Sequence, residues 1–267
     1  MMVSEVLKNP MSLFNIKGKV CLITGASGGF GSACATALGA VGVKLVLASG
    51  AKDELEEIAK QLRATGTEVL TVARRPDTLE DAQAMVDAGL AKFGRIDQLV
   101  VASGMNKAGF IHEQPYEEWQ KVMDANVRGI WLMAKAVGTY WIANKIRGKV
   151  LLLSSVRGRH GNVSGYTAYC ASKGATDSLT RVLATEWAKY GINVNATATT
   201  VFRSKLTAWM WSDELGQATR QRSLARIPMG RLGEVEDLVG ITIYLLSPAS
   251  DFCTGQVIYV DGGFTAG

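Results

Sequence analysis

The stretch Lys19-Val20-Cys21-Leu22-Ile23-Thr24 runs directly into Gly25-Ala26-Ser27-Gly28-Gly29-Phe30-Gly31, and small, helix-compatible residues continue to Leu38. A β-rich run, a glycine-rich turn and a helix in direct succession leave few folds open. The layout lets backbone N–H groups at a helix N-terminus approach a pyrophosphate. The glycines fall as Thr24-Gly25-x-x-x-Gly29-x-Gly31, not in the usual G-x-G-x-x-G spacing. Because the turn follows the first strand at once, cofactor binding is favoured over a plain glycine-rich turn.

The same alternation runs on through the chain. A second strand over Lys44–Ala48 ends at Ser49-Gly50, and a helix follows from about Lys52 to Ala64 with Leu55, Ile58, Ala59 and Leu62 on its buried face. Strand three spans Glu68 to Ala73. Asp77 and Glu80 resemble a capping box for the next helix, and strand four is Gln98 to Ala102. A long helical region with Trp119, Val122, Met123, Val127 and Trp131 leads to the run Lys149–Leu153 and Ser155. Strand six is Asn193 to Ala198. Residues 200–230 have no clean period and read as a mobile cover. A helix from about Val235 to Leu246 and a strand from Gln256 to Val260 close the chain. The strands are apolar runs rather than alternating ones, as expected where helices cover both faces. The pattern predicts an α/β fold: a single-domain, doubly wound, Rossmann-type parallel sheet of about seven strands with helices on both faces. Residues 1–17 read as an N-terminal extension and 18–267 as the domain. Gly25, Ser49, Ser103, Ser155 and Thr199 all sit at carboxyl ends of strands, where ligands bind in such sheets.

Tyr169-Cys170-Ala171-Ser172-Lys173 carries the chemistry. Four residues apart on a helix, Tyr169 and Lys173 share a face. A free phenol has a pKa of about 10, and an ammonium one turn away is expected to lower it toward the range of an acid–base catalyst. A Ser155 hydroxyl at the end of a buried strand can hydrogen-bond a carbonyl or alcohol held near Tyr169. Cys170 reads as a packed small residue.

The chain has 267 residues and a net charge of +5, with no run of like charge that would argue for nucleic acid. Cys21, Cys34, Cys170 and Cys253 lack metal-ligand spacing and read as buried free thiols of a cytosolic protein. With His112 and His160 as the only histidines, no metal site is expected. No apolar run reaches the length of a membrane helix.

In combination, Thr24–Gly31, Asn126 within a helix, Ser155, Tyr169-x-x-x-Lys173 and the ending Thr254-Gly255-Gln256 to Val260-Asp261-Gly262-Gly263 resemble the short-chain dehydrogenase/reductase family, from about Phe14 to the C-terminus. The resemblance implies a nicotinamide cofactor and a homotetramer. It also implies a Tyr169 acid/base, a Lys173 that holds the nicotinamide ribose, a Ser155 that orients the carbonyl, and an Asn126 that supports a water in a proton relay. The implied activity is interconversion of a secondary alcohol and a ketone, with a pattern similar to gluconate 5-dehydrogenase-type enzymes of sugar acids and polyols. The competing readings are a 3-oxoacyl-carrier-protein reductase and a cofactor-binding scaffold without turnover; the intact Asn126, Ser155, Tyr169 and Lys173 set argues against the second. Four departures from the family pattern stand out: Val101-Ala102-Ser103-Gly104 for Asn-Asn-Ala-Gly, Thr199-Thr200 for Pro-Gly, Arg74-Arg75 for an aspartate after strand three, and a Ser155-to-Tyr169 spacing about one residue longer.

The implied cofactor cleft takes in Gly25, Ser27, Gly28, Gly29, Phe30, Gly31, Ser49, Arg74, Ala102, Ser103, Gly104, Tyr169, Lys173, Thr200, Phe202 and Ser204. NADP(H) is expected over NAD(H). The acidic residue that reads a ribose 2′-OH is replaced by Ser49, which can bond a 2′-phosphate with Lys52 or Arg74 to neutralise it. For the substrate, Arg157, Arg159 and His160 follow Ser155 closely, and Arg203 and Lys205 begin the cover, so a negatively charged or polyhydroxylated molecule is expected. Trp209 and Trp211 are candidate pocket walls. Trp119, Trp131, Trp141 and Trp187 read as core or subunit interface.

Overall fold

A computed structural model describes residues 5–267, apart from the side chains of Lys205 and Leu206. Seven parallel strands form one sheet: β1 (Val20–Thr24), β2 (Lys44–Ala48), β3 (Val69–Val72), β4 (Gln98–Val101), β5 (Lys149–Ser155), β6 (Asn193–Thr199) and β7 (Val257–Val260), in the order β3-β2-β1-β4-β5-β6-β7. The helices are the single turn α1 (Glu5–Lys8), then α2 (Gly29–Ala40), α3 (Lys52–Ala64), α4 (Leu79–Phe93), α5 (Tyr116–Met123), α6 (Gly129–Ala143), α7 (Thr167–Trp187), α8 (Glu214–Leu224) and α9 (Val239–Leu245).

Successive strand residues point to opposite faces, which divides the apolar runs between two cores. Val20, Leu22, Val46, Leu99, Val101, Val150 and Leu152 pack with Met85 and Val86 of α4 and Met133, Val137 and Trp141 of α6. Cys21, Ile23, Leu45, Leu47, Val100, Leu151 and Leu153 pack with Leu38 of α2, Leu55 and Leu62 of α3 and Leu245 of α9. Each buried aliphatic side chain contributes about 1.5–3 kcal/mol. The doubly covered sheet is therefore the dominant stabilising feature, and it matches the fold expected from sequence.

The chain winds outward from β1 to β3, then returns to lay β4 on the other side of β1. Registers of Thr24 with Ala48, Thr24 with Val101, and Ser155 with Thr199 put those carboxyl ends along one edge of the sheet. The crevice between β1 and β4 is the topological switch point, where such sheets bind ligands.

Local expectations needed five corrections. The capping box of α4 is Thr78 with Asp81, one residue beyond the expected pair, because Thr78 accepts from the Asp81 N–H while the Asp81 carboxylate accepts from the Thr78 N–H. The long helical region is broken between α5 and α6 by a π turn over Asp124–Arg128. Residues 200–230 hold a 3₁₀ helix, Lys205–Trp211, and α8; Gly216 is the one buried residue of α8, so the helix shows no apolar stripe in sequence. The last helix begins as a 3₁₀ turn, Val235–Leu238, before α9. Of the cysteines, Cys21 and Cys34 are buried, whereas Cys170 and Cys253 are partly exposed; all four are free.

Candidate active site

β5 delivers Ser155 to the carboxyl edge of the sheet, where it caps a short 3₁₀ turn over Val156–Gly158. Its hydroxyl accepts from the Arg157 N–H at 3.2 Å and donates to the Thr199 carbonyl of β6 at 3.2 Å. α7 presents Tyr169 and Lys173 one turn apart beside it. The Lys173 ammonium lies 5.6 Å from the centre of the Tyr169 ring and donates to the Leu153 carbonyl at 2.7 Å. Asn126 stands fully buried in the π turn between α5 and α6, the kind of irregular turn that recurs at functional sites. Its Oδ1 accepts from the Met105 N–H at 2.7 Å, and its Nδ2 donates to the Met105 carbonyl and to Ser172 Oγ, each at 2.9 Å. The Asn126 side chain therefore clamps the segment after β4 to α7.

The electrostatics differ from the simple expectation for a Tyr–Lys pair. Burial pushes the Tyr169 phenol above its ordinary value, and the facing Ser155 hydroxyl offsets only part of that rise. Burial also pulls Lys173 down to about 8, with the carboxylate of Asp177 opposing the drop. A buried phenolate forgoes hydration, and the ammonium is turned toward Leu153, so its proximity does not lower the phenol here. The pair that results is a neutral proton donor beside a cation that titrates near neutrality. Behind it, Ser154 Oγ donates to the buried Asp177 carboxylate.

A dinucleotide fits the cradle next to these groups. Gly25 has φ +68°, and a Cβ there would lie 2.4 Å from the Ser103 backbone N; at Gly31 a Cβ would lie 2.2 Å from the Gly25 carbonyl oxygen. Those two glycines let the turn after β1 fold tightly against the end of β4. Gly28, at the N-cap of α2, supplies no side-chain cap, and the first turn carries no acidic residue. The N-terminus of α2 is left bare, as phosphate binding requires. Phe30 packs edge-on against Phe202 at 5.4 Å, and Gly29 faces Ser204. Two residues of the cover are thus brought to the glycine turn. Thr24 Oγ1 pairs with Ser103 Oγ at 3.2 Å, tying β1 to the Ala102-Ser103-Gly104 segment. Thr200, Ala102 and Ser103 are partly accessible beside the strand ends, and Gly104 is open. When bound, the nicotinamide supplies or accepts the hydride.

At the other end of the crevice, Ser27 Oγ and Ser49 Oγ meet at 2.6 Å. Arg74, the expected cation, is paired instead with Asp81 at the start of α4. The neighbouring Arg75 runs across Gly50, beside Ser49, and its nearest carboxylate is Asp77 at a loose 3.8 Å. The double arginine was visible in sequence, but which of the two lies over Gly50 depends on how the chain leaves β3.

On the substrate side, Arg157 is partly buried, its Nη1 donating to the Gly161 carbonyl, and its charge acts on Tyr166 and Tyr169. Arg159 is exposed and its charge acts on Tyr259 of β7. His160 packs edge-on against Phe264 at 5.9 Å. Trp209 is 43% exposed, while Trp211 lies against the apolar cluster of Val156, Ile227, Leu232 and Phe264. The side chain of Lys205 lies outside the described residues. Trp141 and Trp187 are core, and Trp131 is 52% exposed. Sequence reasoning assigned no role to Arg75 or Ser172, although both stand inside stretches it quoted, and it missed Arg226 and Phe264, which stand outside them.

A profile of the family described as Enoyl-(Acyl carrier protein) reductase matches residues 25–265. An uncharacterized oxidoreductase of Mycobacterium tuberculosis is 49% identical over 257 residues, covering 96% of this chain and 94% of that protein. Among solved structures, a short-chain type dehydrogenase/reductase from Mycobacterium marinum is similar with a TM-score of 0.88 and 29% identity, over 96% of this chain and 99% of that one. A gluconate 5-dehydrogenase from Burkholderia cenocepacia, in complex with NADP and tartrate, is similar with a TM-score of 0.90 and 30% identity, over 97% of this chain and 100% of that one.

Proposed function

This chain belongs to the short-chain dehydrogenase/reductase family, and from that premise we propose that Ser155, Tyr169 and Lys173 interconvert a secondary alcohol and a ketone beside a nicotinamide dinucleotide. The observation that carries the proposal is the grouping of a buried phenol, a hydroxyl and a buried ammonium at the strand ends, next to the bare N-terminus of α2. In reduction, Ser155 and Tyr169 hold the carbonyl oxygen. The Tyr169 hydroxyl gives up its proton to that oxygen, and the Lys173 ammonium stabilises the phenolate left behind. Donors fixed in a site that excludes water stabilise developing charge without reorganising. In oxidation the same phenol takes the proton back. Asn126 holds the segment after β4 against α7, so that Lys173 and the Gly104 backbone keep their spacing.

NADP(H) is the preferred cofactor in this reading. The Ser27–Ser49 pair and the Arg75 guanidinium suit a 2′-phosphate, and no acidic side chain stands at the end of β2. The substrate is a sugar acid or polyol, a reading supported by the similarity to a gluconate 5-dehydrogenase bound to NADP and tartrate. A homotetramer is supported by the exposed apolar residues Trp131 on α6 and Val182 on α7. A cytosolic setting is supported by the free thiols.

The test is turnover with NADPH and a panel of keto acids, neutral ketones and acyl thioesters, in wild type and Tyr169→Phe. The substitution removes the proton donor and almost no volume. It should abolish nearly all reduction while NADPH binding, read by fluorescence, persists. Retention of most of kcat would refute the assignment.

A further inference from the structure

Phe264 is 6% exposed and belongs to a small apolar cluster with Val156, Ile227 and Leu232. Val156 directly follows Ser155, so this cluster adjoins the reacting groups. Two guanidiniums lie over the same ring, that of Arg226 at 4.3 Å and that of Arg157 at 5.6 Å from its centre. His160 packs edge-on against it, with an Nε2 that is buried and has no hydrogen-bond partner. Tyr166 connects this corner to the phenol, its ring meeting that of Tyr169 at 6.2 Å.

These cations lack carboxylates. Among the described residues, neither Arg157 nor Arg226 takes part in an ion pair. The acids beside this corner are engaged elsewhere: Asp177 accepts from Ser154 Oγ, and Asp261 accepts from the Gly263 and Thr265 N–H groups and from Thr265 Oγ1. A cation over an aromatic face gains little at an exposed site. That gain does not neutralise two like charges held beside one ring, and burial disfavours the Arg157 charge further. An anion placed between them resolves both penalties, and a guanidinium offers a carboxylate two parallel bonds.

We propose that Arg157 and Arg226, set about Phe264, bind a carboxylate of the substrate while its carbonyl or alcohol reaches Tyr169. The site thereby selects keto acids or hydroxy acids over neutral ketones. For its reacting end the inference rests on the oxidoreductase reading, whereas the charged end is read by direct binding. Arg226 lies in the stretch after α8, far from Ser155 in sequence, and only the folding of the cover and the C-terminus brings it to this ring.

The experiment titrates the protein, with NADP⁺ present, with tartrate by calorimetry, and separately compares KM for a keto acid and its methyl ester with NADPH. Wild type and the Arg226→Ala, Arg226→Lys and Arg157→Ala variants are compared, with Arg222→Ala as a control on the same segment. Arg226 is exposed, so its removal leaves the fold intact even where Arg157→Ala does not fold. Arg226→Ala should weaken tartrate binding by about tenfold, the loss of one charge-assisted contact. It should also cut the preference for acid over ester by a similar factor. Arg226→Lys should restore part of both, and Arg222→Ala should change neither. An unchanged acid-to-ester preference in Arg226→Ala overturns the proposal, as does inorganic phosphate binding as tightly as tartrate. Tartrate binding that depends on Arg226, in a protein that reduces no ketone, would uphold the anion site and refute the oxidoreductase reading instead.

Discussion

Arg75 crosses the bare backbone of Gly50: a Cβ on Gly50 would come within 2.8 Å of both Cγ and Cδ of the arginine. This lays the arginine stem from the end of β3 over the residue next to Ser49, at the end of β2, where Ser27 and Ser49 pair. Arg74 is held by Asp81 and cannot serve the same purpose without breaking that pair. Arg75→Ala should therefore raise the dissociation constant for NADP⁺ by about tenfold or more, the worth of a charge-assisted contact. The constant for NAD⁺ should barely move. Fluorescence titration with both dinucleotides reads this directly. An equal loss in Arg74→Ala would contradict the assignment.

A pH limb follows from Lys173. Its ammonium is pulled down to about 8 by burial, whereas the Tyr169 phenol is pushed up and stays protonated across neutral pH. Above about pH 8 the cation that stabilises the phenolate is lost. The kcat/KM for NADPH in reduction, which reports the free enzyme, should fall above that pH. Lys173→Arg keeps its charge throughout, so whatever activity that variant retains should show no such limb.

The same burial makes Lys173 costly to stability. Its folded pKa, about 8, lies below the ordinary 10.5, so between those values the unfolded chain binds more protons and stability rises with pH. Below about pH 8 the full penalty stands, about 3 kcal/mol at roughly 1.4 kcal/mol per unit. Lys173→Met should lose turnover yet melt a few degrees higher than wild type at pH 7, with the advantage shrinking from pH 8 to 10. Thermal melts across that range check the sign, and a lower melting temperature at pH 7 would contradict it.

Gly31 tests the cradle. A Cβ there would lie 2.2 Å from the Gly25 carbonyl oxygen, which is backbone and has no room to yield. Gly31→Ala should cost about 1–3 kcal/mol, as overpacking does, and should weaken NADPH binding by displacing the N-terminus of α2. Gly240→Ala, at an exposed helical site with nothing within 4 Å, should be neutral or stabilising by up to about 1 kcal/mol. Urea unfolding and NADPH titration of both variants separate the two cases.

The sequence by itself determined the sheet, the crevice and which groups share the helical face at its edge. Apolar runs such as Lys149–Leu153 can be buried only as strands covered on both faces, and a glycine turn directly after β1 leaves the N-terminus of α2 bare; both are consequences of local pattern. The Tyr169–Lys173 spacing likewise fixes a shared helical face. Tertiary structure decided what these groups meet. Asn126 serves as a clamp on Met105 and Ser172 because the π turn swings it there. Lys173 titrates near 8 because packing removes its water. Arg75 rather than Arg74 lies over Gly50, next to Ser49, because of the direction in which the chain leaves β3. Arg226 joins Arg157 at Phe264 because three distant segments converge on one ring. Periodicity and spacing are properties of neighbours along the chain, whereas desolvation and charge pairing depend on neighbours in space, which the fold alone supplies.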